Sequence, residues 1–157
     1  MCIRDSIYIR TSEKPDEALT DRAHQNIRVG YGLNGYDDLQ YSSLAAGNVF
    51  YNGAKPYKDE FNSIQTQDYR PQLELEERGD AVYLNLDFDA AVNQVQTQMV
   101  TTRLLGATIV SEALFECRDG QPYCISTDYF EKSRDADRPV VGPFESLREG
   151  SFELKIW

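Results

Sequence analysis

A short strand-like segment recurs at nearly constant spacing in the first third of the chain. The three copies read SIYIR from Ser6, NIRVG from Asn26 and NVFYN from Asn48. Their alignment places Ile9, Val29 and Tyr51 in one column. A period of roughly 20–25 residues is typical of solenoids, in which each unit buries its apolar side only by stacking on its neighbours. The spacing therefore predicts coils of a parallel β-helix, with these three residues at equivalent positions on consecutive parallel strands.

Two of the copies begin with Asn, which supports the same interpretation. Stacked Asn side chains can satisfy each other's amides in the turns of a solenoid, so Asn26 and Asn48 are expected to lie one above the other. The glycines between the copies suit tight corners, where positive φ is required. The alternative is a chance alignment of short apolar segments, in which case the copies would pair antiparallel or lie on helices.

The pattern of apolar and polar residues changes from about residue 68. Residues 71–89, PQLELEERGDAVYLNLDFD, alternate apolar and polar side chains, which predicts half-buried strands joined by a turn at Gly79-Asp80. Asp119-Gly120 is a second hairpin signal, and the closing SFELKIW alternates once more. The segment QVQTQMVTTRLLG at residues 94–106 is compatible with either a strand or one helix.

These patterns predict an all-β chain: the last coils of a truncated right-handed parallel β-helix, followed by an antiparallel β region. We expect residues 1–60 to form the terminal coils and residues 61–157 to form a capping or accessory region. The polar residues 56–70 are expected to link the two parts. The opening MCIRDS resembles translated sequencing-adapter read-through, so the natural chain is expected to begin further upstream.

The net charge of −10, from 26 acidic against 16 basic residues, argues against nucleic acid as a partner. A phosphate-binding surface needs clustered Lys and Arg, and no basic run is present. No apolar segment approaches the roughly 20 residues that span a bilayer, and no signal peptide is visible. An acidic surface is compatible with neutral sugars, with cations or simply with solubility.

The loop LNGYDDLQY carries the strongest candidate for a binding site. Acidic side chains beside aromatic rings can bind a sugar, because the rings stack on its apolar faces while the carboxylates accept hydrogen bonds from its hydroxyl groups. The alternative is a solvated turn whose tyrosines pack on the coil surface, and neighbouring carboxylates on an extended chain point in different directions. The candidate substrate-binding residues are Tyr31, Tyr36, Asp37, Asp38 and Tyr41.

Other chemistry-bearing residues give weaker signals. Asp87 and Asp89 would project from one face of a strand and could chelate Ca²⁺, although the polar face of a half-exposed strand is the simpler interpretation. His24 is the only histidine and is expected at the surface. Cys117 and Cys124 either face each other across a hairpin or remain free thiols, and we favour free thiols; their spacing does not match a zinc site. No cofactor is predicted.

Several motifs together resemble the C-terminal portion of secreted right-handed parallel β-helix proteins of the pectate-lyase-like kind. These are GNVFYNGAKP, LEERGDAVYLNLDFD, TTRLLG and TDYFEKSRDADRPVVGPFE followed by LKIW. The segment from Asp128 through Arg134 to Glu145 is similar to a closing element written D-x-x-G-x-x-R … G-x-F-E, with Glu131 in place of its central Gly. Phe130 and Phe144 are expected to anchor this segment, and Arg134 to pair with Asp128 or Glu145.

The resemblance implies a function that the residues alone do not give. Proteins of this kind act on polysaccharides as exported bacterial glycoside hydrolases or polysaccharide lyases, with catalytic carboxylates on middle coils that this chain lacks. The chain is then expected to be a mainly structural end of such a protein, extracellular or periplasmic, and inactive alone. A non-catalytic carbohydrate-binding or surface-interaction module is the alternative, and a purely structural cap is a third.

Overall fold

The computed structural model describes residues 7–9, 22–38, 43–108 and 111–157. Strands dominate these residues, and helices are limited to single turns. The elements are β1 (Ile7–Ile9), β2 (Arg22–His24), β3 (Ile27–Val29), a 3₁₀ turn (Asn34–Tyr36), β4 (Leu44–Ala46), β5 (Val49–Tyr51), β6 (Ile64–Thr66), β7 (Gln72–Arg78), β8 (Ala81–Phe88), α1 (Ala91–Gln94), α2 (Thr102–Leu105) and β9 (Gly150–Lys155). No helix among the described residues has the length and apolar character needed to cross a membrane.

The repeated segment forms a parallel sheet in the order β1-β3-β5-β6. Its register pairs Ile9 with Val29 and Val29 with Tyr51, which confirms the alignment made from the sequence. A second parallel sheet pairs β2 with β4, and a parallel bridge from Ala46 to Phe61 carries it into the next turn of the chain. Two parallel ladders that advance together are the arrangement expected of stacked coils.

The expected linker at residues 56–70 contains a further strand of the parallel sheet, so that interpretation is wrong. β6 pairs in parallel with β5, and Ile64 lies beside Val49. Only one of its three residues is apolar, which explains why its polar sequence resembled a linker. The division of the chain at residue 60 stays a prediction, and the parallel ladder extends beyond it to Thr66.

The C-terminal sheet is antiparallel, with the strand order β7-β8-β9. Its register pairs Leu75 with Leu84 and Leu84 with Leu154, as the alternating pattern predicts. Gly79 makes the turn between β7 and β8 at φ 64°. The second hairpin signal also forms a turn, with Gly120 at φ 79°, but only isolated bridges flank it rather than strands.

The two inner strands of the parallel sheet, β3 and β5, are buried on both faces. On one face Ile27 and Val49 share a single apolar cluster with Leu86 and Phe88 of β8. On the other face Phe50 belongs to a separate cluster, whose buried members are Leu33, Ala45, Phe50, Ala54 and Tyr57. All three residues of β3 and all three of β5 are consequently buried. The antiparallel sheet thus packs directly against the coils through a shared core.

Candidate functional site

The predicted sugar-binding loop is only partly described, because Tyr41 lies outside the described residues. The single 3₁₀ turn brings Tyr36 next to Asp37, and Tyr36 packs half-buried against the cluster that contains Phe50. Tyr31 is half-buried and Asp38 is exposed. The prediction that these residues bind a sugar is therefore neither supported nor opposed by their positions.

Asp37 has a structural contact that the sequence did not indicate. Its Oδ1 accepts a hydrogen bond from the backbone N–H of Lys58 at 2.8 Å, and its backbone carbonyl accepts another from the Lys58 ammonium. These bonds tie the loop to the turn in the next coil. One oxygen of this carboxylate is thereby occupied, which reduces what it can offer to a ligand.

A ladder of buried polar side chains runs along the coils, as the sequence predicts for Asn26 and Asn48. Asn48 Oδ1 accepts hydrogen bonds from the backbone N–H of Asn26 at 2.7 Å and from its side-chain amide at 3.0 Å. Asn48 Nδ2 in turn donates to Glu60 Oε1 at 2.7 Å. Burial raises the pKa of the Glu60 carboxyl to about 7, and the bond from Asn48 opposes this shift. Glu60 thus ends the ladder by accepting the last hydrogen bond, although the register places Ser63 rather than Glu60 at the position equivalent to Asn26 and Asn48.

Two tyrosine–aspartate pairs join the coils to the antiparallel sheet. The buried Tyr51 hydroxyl donates to Asp89 Oδ1 at 2.8 Å, and the Tyr69 hydroxyl donates to Asp87 Oδ2 at 2.6 Å. The two tyrosine rings lie with centroids 5.6 Å apart. Burial, followed by the hydrogen bond to Asp89, raises the pKa of the Tyr51 hydroxyl above its ordinary range. Both hydroxyls therefore stay protonated and act as donors.

These contacts bear on the calcium interpretation of Asp87 and Asp89. Each carboxylate accepts a tyrosine hydroxyl, and Asp89 also accepts the backbone N–H of Ala91 at 3.0 Å. Within the part of the chain that the structure describes, no group of three or more His, Cys, Asp or Glu side chains is placed to hold a metal ion. No local pattern indicated a role for Tyr69, because Tyr69 lies in the loop before β7 and its partner Asp87 lies 18 residues away in β8.

The closing element folds around the buried carboxylate of Asp128. Its Oδ1 accepts the backbone N–H groups of Phe130 and Lys132, both at 2.9 Å, and its Oδ2 accepts that of Glu145 at 2.9 Å. Glu131 adopts φ 60°, the left-handed conformation that a Gly adopts without strain. The turn geometry of the closing element is therefore retained although Glu replaces the Gly of the motif.

Arg134 completes the closing element and pairs with Glu145 rather than Asp128. Its Nη1 lies 3.3 Å from Glu145 Oε2, and both side chains are almost fully buried. The guanidinium also donates to the carbonyls of Val140 at 2.9 Å and Gly142 at 2.8 Å. A buried Arg with this many acceptors fixes the loop in one conformation.

The two phenylalanines of the closing element differ in burial. Phe144 is 4% exposed and packs in the shared core, whereas Phe130 is 43% exposed and stacks on Phe144 at 5.3 Å. The prediction of an anchor is confirmed for Phe144 and is wrong for Phe130. Phe130 lies outside the core because Asp128 holds its backbone in the exposed turn.

Two further expectations concern His24 and the cysteines. His24 is buried in β2, so its predicted surface position is wrong; its strand pairs in parallel with β4 of the next coil. Cys117 and Cys124 are free thiols, and both are exposed. The turn at Gly120 pairs Cys117 with Gln121, while Cys124 bridges to Thr101, so the two thiols do not face each other.

Stacked parallel ladders packed against an antiparallel sheet define an all-β chain of the parallel β-helix class. Among solved structures, the fold is similar to that of the protein XylC, whose structure was determined in complex with xylose. The TM-score is 0.71 at 25% sequence identity, and the match covers 80% of this chain and 19% of XylC. The chain thus spans about a fifth of XylC's length. No protein-family model and no curated protein matches the sequence.

Proposed function

We propose that this chain is the C-terminal part of a carbohydrate-active parallel β-helix protein, a glycoside hydrolase or polysaccharide lyase, in which it ends and supports the coils. The observation that carries the proposal is the likeness of 80% of the chain to a protein solved with xylose. The proposal extends to residues 1–60 as terminal coils, to residues 61–157 as the cap, and to an exported, bacterial parent protein outside the cytoplasm.

A structural role for this chain is supported by how its carboxylates are used. Glycoside hydrolysis requires two carboxyl groups that face one scissile bond. Here Asp89, Asp128 and Glu145 each accept hydrogen bonds from neighbouring groups of the chain itself. Side chains engaged in this way hold the cap in place and are poorly placed to exchange protons with a substrate.

A non-catalytic carbohydrate-binding module is the second candidate, and exposed aromatic rings favour it. Tyr129 is 57% exposed and Trp157 is 80% exposed. The Tyr129 hydroxyl donates to the carbonyl of Ile156 at 3.2 Å, so the end of the Tyr129 side chain lies next to the backbone that leads into Trp157. Exposed rings of this kind offer a flat apolar surface, and a sugar ring has an apolar face that fits it.

Cleavage assays on the purified chain test the main proposal. We expect no release of reducing sugar and no unsaturated product from a panel of xylan, pectin and arabinan. A protein in which further parallel coils precede this chain is expected to cleave one member of the panel. Cleavage by the chain itself that is lost in Asp37→Asn or Asp38→Asn would place catalysis in the loop that contains these two residues and refute the structural role.

A further inference from the structure

The outward face of the antiparallel sheet carries a polar groove that the structural role leaves unused. The groove has a volume of about 310 Å³, near the lower end of the roughly 300–1,000 Å³ of small-molecule sites. Its polar lining comes from all three strands of the sheet: Gln72, Glu74, Asn85, Asp87, Ser151 and Glu153.

The register arranges these side chains in two rows across the sheet. Gln72, Asp87 and Ser151 form one row, and Glu74, Asn85 and Glu153 form the other. Each row therefore combines side chains that donate hydrogen bonds with side chains that only accept them. A ligand lying across the sheet would meet donors and acceptors in alternation.

Half of the groove is held in position by contacts within the chain. Asp87 accepts the Tyr69 hydroxyl at 2.6 Å and the Ser151 hydroxyl at 2.9 Å. Glu153 pairs with Arg78 at 2.7 Å. Side chains that are already oriented lose little entropy when a ligand binds.

The β7 side of the groove has polar side chains that are open to a ligand. Gln72 and Glu74 are exposed and have no side-chain hydrogen bond to another residue in the described part of the chain. Their carboxylate and amide groups therefore retain their full hydrogen-bonding capacity toward a ligand.

We propose that this groove binds a neutral oligosaccharide. Sugar hydroxyls donate to the carboxylates in charge-assisted hydrogen bonds and accept from the amides of Gln72 and Asn85. The carboxylates of Glu74, Asp87 and Glu153 repel anionic glycans, as does the net charge of −10. The choice of a sugar as the ligand rests on the proposed function; the location of the site rests on the groove itself.

Titration with xylotetraose, followed by amide chemical shifts, tests the proposal. We expect saturable shifts at residues of β7, β8 and β9, and a fivefold or greater loss of affinity in both Glu74→Gln and Asn85→Ala. Glu116→Gln, an exposed acid far along the chain from the sheet, is the matched control and is expected to bind like the original protein. Unchanged thermal unfolding of Glu74→Gln shows that the fold is retained.

Four outcomes overturn the proposal. Tighter binding of a glucosamine oligomer than of xylotetraose would make the groove a site for cations. Shifts confined to Tyr31–Asp38, or affinities unchanged in both variants, would move sugar binding elsewhere and leave the proposed function intact. Shifts that depend on protein concentration without sugar would show that a second copy of the chain covers the face.

Discussion

The parallel coils and the antiparallel sheet are both built from strands, but they bury those strands differently. Every residue of β3 and of β5 is buried, because the coils have a core on either side of the sheet. In β8 the inward residues Leu86 and Phe88 are buried, while Asp87 between them remains partly exposed. Alternation of apolar and polar side chains therefore predicts only the antiparallel sheet. The coils are recognised instead by the repeat of a short segment along the sequence.

The two regions also differ in where they use polar groups. The coils enclose a ladder of amides that ends at Glu60, whereas the sheet turns its polar side chains outward into the groove. A buried polar group is costly unless it is paired. Substitutions in the coils should consequently cost more than similar substitutions on the sheet surface.

The largest expected difference lies between Phe50→Ala and Leu75→Ala. Phe50 is the middle residue of β5 and has no exposed surface, while Leu75 in β7 is 65% exposed. We expect Phe50→Ala to lower the free energy of unfolding by about 3–5 kcal/mol, and Leu75→Ala to change it by less than about 0.5 kcal/mol. Urea denaturation measures both. Equal costs would show that the coils are not covered on both faces.

A similar contrast is expected between two arginines that each pair with a carboxylate. Arg134 is buried with Glu145, and its removal leaves an unpaired buried charge, which costs about 3–5 kcal/mol. Arg78 pairs with Glu76 and Glu153 at the surface of the sheet, where solvent screening leaves such contacts with little effect on stability.

Urea denaturation of Arg134→Ala and Arg78→Ala provides the comparison between the two pairs. High salt should reduce the smaller effect further, because exposed charges are screened. A cost below 1 kcal/mol for Arg134→Ala would mean that the closing element does not support the core.

The contact between the two regions is expected to have an intermediate effect. Tyr51→Phe removes the hydroxyl that Asp89 accepts at 2.8 Å and leaves the buried ring in place. Hydrogen bonds to a charged group contribute about 1.5–3 kcal/mol, so we expect a loss of that size. Tyr129→Phe, which removes an exposed hydroxyl from the carbonyl of Ile156, serves as the control and should cost less than about 1 kcal/mol. Similar losses in both variants would mean that the Tyr51–Asp89 contact does not couple coil to sheet.

The sequence predicted the elements whose pattern is local or repeated. The register of Val29 with Tyr51 and the turn at Gly79 followed from spacing and alternation. The strand at Ile64–Thr66 was missed because the coil around it supplies most of its environment, and its own polar sequence does not alternate. The burial of His24 was also missed, because it too depends on the coil that surrounds its strand. Glu60 and Tyr69 were missed because their partners are distant in sequence, so only the fold brings them together.

The smallest expected effect concerns the end of the amide ladder and depends on pH. The pKa of Glu60 is raised by burial from 4.5 to about 7, so between these values the folded chain binds more protons than the unfolded chain. Its contribution to stability is therefore present below about pH 4.5 and is lost as the pH rises through 7.

Glu60→Gln tests this directly, because Gln can accept the hydrogen bond from Asn48 but cannot ionise. At pH 8 the variant should be more stable than the original protein by on the order of 1–2 kcal/mol, after allowance for solvent screening of a partly exposed carboxyl. At pH 4.5 the two proteins should be equally stable within error. Asp80→Asn, in the exposed turn of the sheet, should leave the pH profile unchanged. If Glu60→Gln is less stable than the original protein at pH 8, the ladder ends in an ionised carboxylate, and the coils hold a buried negative charge near the buried Arg28.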